Sequence, residues 1–193
     1  MISRLREPTR PLRVALARPL VWAGVHPNWV TLAAIPLSTA AAWCIWHHRS
    51  GWGLLLALLA SAMDFLDGEV ARLQGRETAF GNYLEAVVDR WVDGVLLLGF
   101  FPHHPVVAGV ALTLANLVSY SKARLGLVMP TDNRDWPGVG DRSDRLLLLL
   151  AAIGFGPTSF WGGLLLWGVL LISLLGTLQR IQHARRQIER AGL

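Results

Sequence analysis

The sequence predicts an all-α integral membrane fold: six transmembrane helices preceded by an N-terminal interfacial amphipathic helix. Three observations carry that expectation. Of 193 residues, 53% are hydrophobic and only 16% charged. Runs such as "WVTLAAIPLSTAAAWCIW" (29–46) reach the roughly 18 apolar residues that span a bilayer as a helix. The basic residues also fall on alternate connections, as the preference of Lys and Arg for cytoplasmic loops requires.

Residues 1–20 alternate arginines with Ile2, Leu5, Leu12, Val14, Leu16 and Leu20, a basic segment suited to anionic lipid and broken at Pro8 and Pro11. A disordered basic tail is the competing reading for its first ten residues. Six spans follow at roughly 25–47, 51–73, 80–101, 105–125, 140–156 and 160–180. They make one domain over 1–193, with 21–193 as its six-helix part and no internal repeat. The tail "LQRIQHARRQIERAGL" (178–193) continues the last span as a basic helix.

This arrangement gathers Arg4, Arg6, Arg10, Arg13, Arg18, Arg72, Arg76, Lys122, Arg124, Arg134, Arg142, Arg145, Arg180, Arg185, Arg186 and Arg190 on one side, and leaves Arg49 on the other. Both termini are then cytoplasmic, in a multi-pass protein of the cell membrane. The net charge of +5 follows from this topology and calls for no nucleic-acid partner. Trp43, Trp46, Trp52 and Trp161 fall near outer ends, as interfacial tryptophans do. The first twenty residues hold no apolar stretch long enough for a cleavable signal peptide. Cys44 is alone, so no intrachain disulfide forms.

The spans are not alike. The second has 13 apolar or small residues, 51–63, before Asp64; the third meets Glu85, Asp89 and Asp93; the fifth begins beside Asp141, Arg142, Asp144 and Arg145. Such polar halves would cost several kcal/mol against lipid. They must face one another around a cavity open to the cytoplasm.

The stretch "MDFLDGEVARLQGRETAFGNYLEAVVDRWVDG" (63–94) holds Asp64, Asp67, Glu69, Glu77, Glu85, Asp89 and Asp93. On a helix, Asp64, Asp67, Gly68, Ala71 and Arg72 share one face, and Glu85 and Asp89 lie one turn apart with Gly81 a turn earlier. Two such helices facing each other bring four carboxylates together, which cannot all stay ionised without cations. Hard oxygen ligands in that number suit Mg²⁺, Mn²⁺ or Ca²⁺ and can hold two ions. Salt bridges to Arg72 and Arg90, or plain solvation, are the alternatives.

The pattern Asp64-x2-Asp67-Gly68-x2-Ala71-Arg72-x8-Gly81-x3-Glu85-x3-Asp89 resembles the signature of the CDP-alcohol phosphotransferases, membrane enzymes that move a phosphatidyl-type group from a CDP-alcohol to an acceptor hydroxyl and release CMP. "HPNWVT" (26–31) is similar to the family's entry to its first span. The departure is Glu85, where the family has aspartate. The resemblance implies Asp64, Asp67, Glu85 and Asp89 as ligands of two divalent cations, Mg²⁺ or Mn²⁺, with Asp89 also the catalytic base. It implies Asn28, Thr31, Asp67, Gly68, Ala71, Arg72, Thr78 and Gly81 around the CDP moiety, and a homodimer. Gly68 and Ala71 equally suit close packing between spans. Glu85, one methylene longer, disturbs metal geometry or marks a degenerate member kept as a scaffold.

Lys122, Arg124, Arg142 and Arg145, in "SYSKARLGL" and "GDRSDR", are expected on the cavity side as a pocket for an anionic acceptor. Their alternative role is to set topology. These stretches resemble the phosphatidylinositol phosphate synthase branch, which implies CDP-diacylglycerol as donor and an inositol phosphate as acceptor. Glycerol 3-phosphate and phosphatidylglycerol compete.

Overall fold

The computed structural model describes residues 10–129 and 140–192, and every regular element among them is a helix. There are seven: α1 Arg10–Trp22, α2 Pro27–Trp46, α3 Ser50–Gln74, α4 Ala79–Gly99, α5 Pro105–Val128, α6 Arg142–Phe155 and α7 Phe160–Arg190. Arg4, Arg6, Arg134 and the break expected at Pro8 lie outside the described residues. The helices α2, α5 and α7 are long and apolar enough to cross a membrane. The acids in α3 and α4 and the 14-residue length of α6 set those three apart.

Local chemistry starts and stops these helices. Pro27 opens α2 behind His26, whose ring nitrogen accepts from the Asn28 N–H. Gly75, at φ 65°, closes α3 in the left-handed conformation that spares a glycine any Cβ clash. Thr78 caps α4 by accepting from Gly81, and Ser159 caps α7 by accepting from Gly162. Both α3 and α4 pack on α2, and the short Gly75–Thr78 link places their acidic halves at one end of the bundle.

Pro11 does not break the first helix. It occupies the first turn of α1, where its missing N–H has no intrahelical partner to lose. The basic segment therefore runs past residue 20 to Trp22. Ala17 is fully buried there and joins Val30, Leu66 and Val70 in a small apolar cluster that docks α1 onto α2 and α3.

The main core comprises Ile45, Val92, Leu96, Leu97, Phe100, Ile153 and Leu166 with a row of small residues. Gly99 allows α4 to approach α2: a Cβ there would stand 3.0 Å from the Ala42 carbonyl oxygen. α5 packs on α7, and α6 packs on α7 and α3. At the end remote from the acids, His104 Nε2 donates to the Pro157 carbonyl at 2.9 Å, tying the α4–α5 turn to the α6–α7 turn. The tail does continue α7 as one helix of 31 residues.

Candidate active site

Four helix segments surround the acids: the start of α2, the last half of α3, the first half of α4 and the start of α6. They enclose two cavities that meet. The first, ≈ 310 Å³, is lined by every residue that the motif assigned to the CDP moiety: Asn28, Thr31, Asp67, Gly68, Ala71, Arg72, Thr78 and Gly81. Asp67, 3% exposed, accepts from Thr31 Oγ1 at 2.6 Å and from the Gly68 N–H at 2.6 Å. A Cβ on Gly68 would meet only Arg72 Nη2, at 3.9 Å, so glycine leaves the cavity open at that point. Gly81 lies where a Cβ would stand 3.2 Å from Thr78 Oγ1 and 3.7 Å from Asn28 Oδ1. A side chain there would crowd both polar groups.

Arg72 is half-exposed and donates to Glu69 at 2.9 Å, with Glu77 at 3.5 Å. The carboxylate of Glu69 is buried, with Arg13 of α1 at 3.9 Å. Sequence reasoning gave neither Glu69 nor Arg13 a place here, yet both line the cavity. Glu69 orients Arg72 toward the cavity. The available signal was the i,i+3 spacing of Glu69 and Arg72.

The second cavity, ≈ 620 Å³, is lined by Lys122, Arg142 and Arg145, as expected, and by Arg180. Arg124 is a correction. It lies instead on an apolar groove between α5 and α7 with Tyr120, Val128 and Ile181, because two residues along a helix turn a side chain about 200° from Lys122. Arg180 takes its place from α7, donating to the Val118 carbonyl and to Asp141, both at 2.7 Å. Its signal in the sequence was an arginine just beyond a long apolar run.

The expected four-carboxylate face contains a cation. Arg142 Nη1 lies 2.7 Å from Asp64 Oδ2 and 2.8 Å from Asp89 Oδ1, and its Nε lies 3.2 Å from Asp93 Oδ1. Arg145, 4% exposed, donates to Asp93 at 3.2 Å and to the Gly140 carbonyl at 2.7 Å. Asp93 thus anchors both arginines. Asp64 and Glu85 line both cavities, which fixes where the two join.

Among the described residues, no three His, Cys, Asp or Glu side chains converge closely enough to hold a metal ion. The donor chemistry and its placement nevertheless fit a hard divalent cation. Asp64, Asp67, Glu85 and Asp89 offer only oxygen ligands and all line the joined cavities, and a cationic group already sits between two of them.

The profile of the CDP-alcohol phosphatidyltransferase family matches residues 24–175. The chain belongs to that family. Its curated relatives include the phosphatidylinositol phosphate synthase of Streptomyces avermitilis, 30% identical over 190 residues that cover 87% of this chain and 75% of that protein. The archaetidylinositol phosphate synthase of Pyrococcus horikoshii is 24% identical over 98% of this chain and 99% of its own. Among solved structures, the phosphatidylinositol phosphate synthase of Mycobacterium tuberculosis with CDP-DAG bound superposes with a TM-score of 0.73 at 25% identity, covering 90% of this chain and 94% of that one. The same enzyme in complex with manganese and citrate gives 0.74 at 25% identity, over 89% and 88%. The resemblance read from the motif is borne out, including the branch.

Proposed function

We propose that this family member is a phosphatidyltransferase that moves the phosphatidyl group of CDP-diacylglycerol to a hydroxyl of an inositol phosphate, releasing CMP. One observation carries the reading: a cavity lined by the CDP motif joins a cavity lined by Lys122, Arg142, Arg145 and Arg180, with Asp64 and Glu85 at the junction. Donor and anionic acceptor would meet there. The relatives named above support the choice of acceptor.

In the reaction, the acceptor oxygen forms a bond to the phosphorus that bears the diacylglycerol. The bond from that phosphorus to the bridging oxygen breaks, and CMP leaves with the electron pair. Asp89 takes the hydroxyl proton. Arg142 Nη1 lies 2.8 Å from Asp89 Oδ1 and holds that carboxylate in place. Thr31 and the Gly68 N–H hold Asp67 in one orientation, and Glu69 holds Arg72 for a phosphate oxygen. Lys122 and Arg180 bind the acceptor's own phosphate. Divalent cations, Mg²⁺ or Mn²⁺, held by Asp64, Asp67, Glu85 and Asp89 would neutralise the pyrophosphate and the departing charge.

The same reading takes α2 to α7 as six spans in the cell membrane, α1 as an interfacial helix and both termini as cytoplasmic. The exposed stripe Phe80, Tyr83, Val87 and Trp91 on α4 suits a second copy, which supports a homodimer. The test is an acceptor screen with purified protein, CDP-diacylglycerol and Mg²⁺ or Mn²⁺. Inositol 1-phosphate should release CMP faster than glycerol 3-phosphate, phosphatidylglycerol, serine or unphosphorylated inositol. A preference for another acceptor would reassign the second cavity. No CMP from any of them would leave a scaffold.

A further inference from the structure

We propose that His48 and His103 form a two-imidazole site for a divalent transition-metal ion, at the end of the bundle remote from the acidic cavities. Four histidines gather there on two turns: His47 and His48 after α2, His103 and His104 before α5. Two of them have other employment. His104 is bonded to the Pro157 carbonyl, and His47 lies against Trp43 with ring centroids 4.6 Å apart.

His48 and His103 face each other, with centroids 4.4 Å apart and planes at 54°. His48 holds φ at 60° as the left-handed residue of the motif that closes α2, in which the Arg49 N–H donates to the Cys44 carbonyl at 2.8 Å, and that turn carries its ring to His103. His103 Nε2 is buried without a hydrogen-bond partner, an arrangement native structures rarely leave unused.

The spacing selects the ion. With metal–nitrogen bonds of about 2.0–2.1 Å, two imidazoles at right angles on one ion have centroids about 4.5 Å apart, and at tetrahedral angles more than about 5 Å. The observed 4.4 Å suits adjacent positions of a tetragonal or octahedral ion. That favours Cu²⁺ or Ni²⁺ over tetrahedral Zn²⁺. The three turns at this end, 47–50, 100–104 and 156–159, contain no Asp or Glu, so water completes the coordination. Bound metal would pin the α2–α3 turn to the α4–α5 turn, as His104 already pins the latter to the α6–α7 turn.

The test is Cu²⁺ titration of tag-free protein in detergent, read by electron paramagnetic resonance. One ion per chain with superhyperfine coupling to two nitrogens is the expected result. His48→Gln and His103→Gln should each lose the two-nitrogen signature, while His47→Gln keeps it. Retention of the signature in either of the first two variants, or its loss in His47→Gln, overturns the assignment. The wild-type spectrum decides independently of how the variants fold: no bound Cu²⁺, or fewer than two coordinated nitrogens, ends the proposal.

Discussion

Arg142 Nη1 lies 2.7 Å from Asp64 Oδ2 and so joins α6 to α3 across 78 positions of chain. The same guanidinium reaches Asp89 and Asp93 on α4. Three carboxylates crowd a largely buried region, and their charges are compatible only because a cation lies between them. Arg142 therefore belongs to the carboxylate group as much as to the acceptor cavity, and its removal should affect both.

Arg142→Gln removes the charge and keeps much of the side chain's length. Breaking a buried pair by deleting one partner costs about 3–5 kcal/mol, so the variant should melt well below wild type in chelator. Mg²⁺ should raise its melting temperature more than that of wild type, because the ion takes over neutralisation of Asp64 and Asp89. Thermal melts with and without chelator measure this. An equal Mg²⁺ response in both proteins would mean that arginine and metal do not share the same carboxylates. Turnover should fall along with acceptor affinity.

Lys122, which lines the second cavity from α5, offers another test of the acceptor site. Lys122→Gln should raise the acceptor KM by one to two decades, the equivalent of about 1.5–3 kcal/mol for a charge-assisted hydrogen bond, with kcat largely kept. Arg124→Gln should change neither constant, because Arg124 faces the apolar groove between α5 and α7. Steady-state kinetics with varied inositol phosphate separates the pair. A larger effect at Arg124 than at Lys122 would move the acceptor out of the proposed cavity.

Thr31 tests the donor side. Its hydroxyl donates to Asp67 at 2.6 Å, and Asp67 is almost wholly buried. Thr31→Val keeps the shape and strands one carboxylate oxygen, which should cost about 1.5–3 kcal/mol of stability. The KM for CDP-diacylglycerol should rise while that for the acceptor holds. Thr31→Ser should restore most of both. If Val and Ser behave alike in denaturant midpoint and KM, the hydrogen bond is incidental.

The membrane reading is tested separately. Reporters inserted at Ser50 and at His104 should both read as external, and those at the two ends of the chain as cytoplasmic. A cytoplasmic signal at Ser50 or His104 would remove the six-span arrangement.

Helix positions were legible because the apolar runs have the length that a span needs and are separated by short polar breaks. The shared face of Asp64, Asp67, Gly68 and Ala71 was legible because they fall at i, i+3, i+4 and i+7 on α3, and the family resemblance implied their place, with Asn28, Thr31, Thr78 and Gly81, around the CDP moiety. Arg142 between Asp64 and Asp89 was not legible. That contact depends on how far α6 slides along α3 and α4, which no local pattern encodes. Arg124 failed for a related reason: position near Lys122 was taken as direction, and a helix turns about 100° per residue. Arg180 needed the packing of α7 on α5 before its place in the second cavity became visible.

Asp89 and Glu85 decide the chemistry. Asp89 lines the second cavity, where the acceptor hydroxyl would arrive, and Arg142 Nη1 lies 2.8 Å from its Oδ1. Asp89→Asn keeps the shape and removes both charge and basicity, so turnover should nearly vanish while the protein stays folded in detergent. Arg142 retains Asp64 and Asp93 in that variant, and melting should shift little. Substantial CMP release by Asp89→Asn would sink the assigned base. Glu85 stands at the junction of the cavities in the position where the family carries aspartate, and its extra methylene pushes the carboxylate about one bond length further into that space. Octahedral Mg²⁺ tolerates such a displacement poorly, and a less exacting ion tolerates it better. Glu85→Asp should therefore preserve or raise turnover and shift the preference between Mg²⁺ and Mn²⁺. The ratio of rates with the two ions, measured for both proteins at saturating metal, reads that shift without depending on protein yield. Complete loss of activity in Glu85→Asp would show instead that the surrounding side chains have adapted to the longer acid.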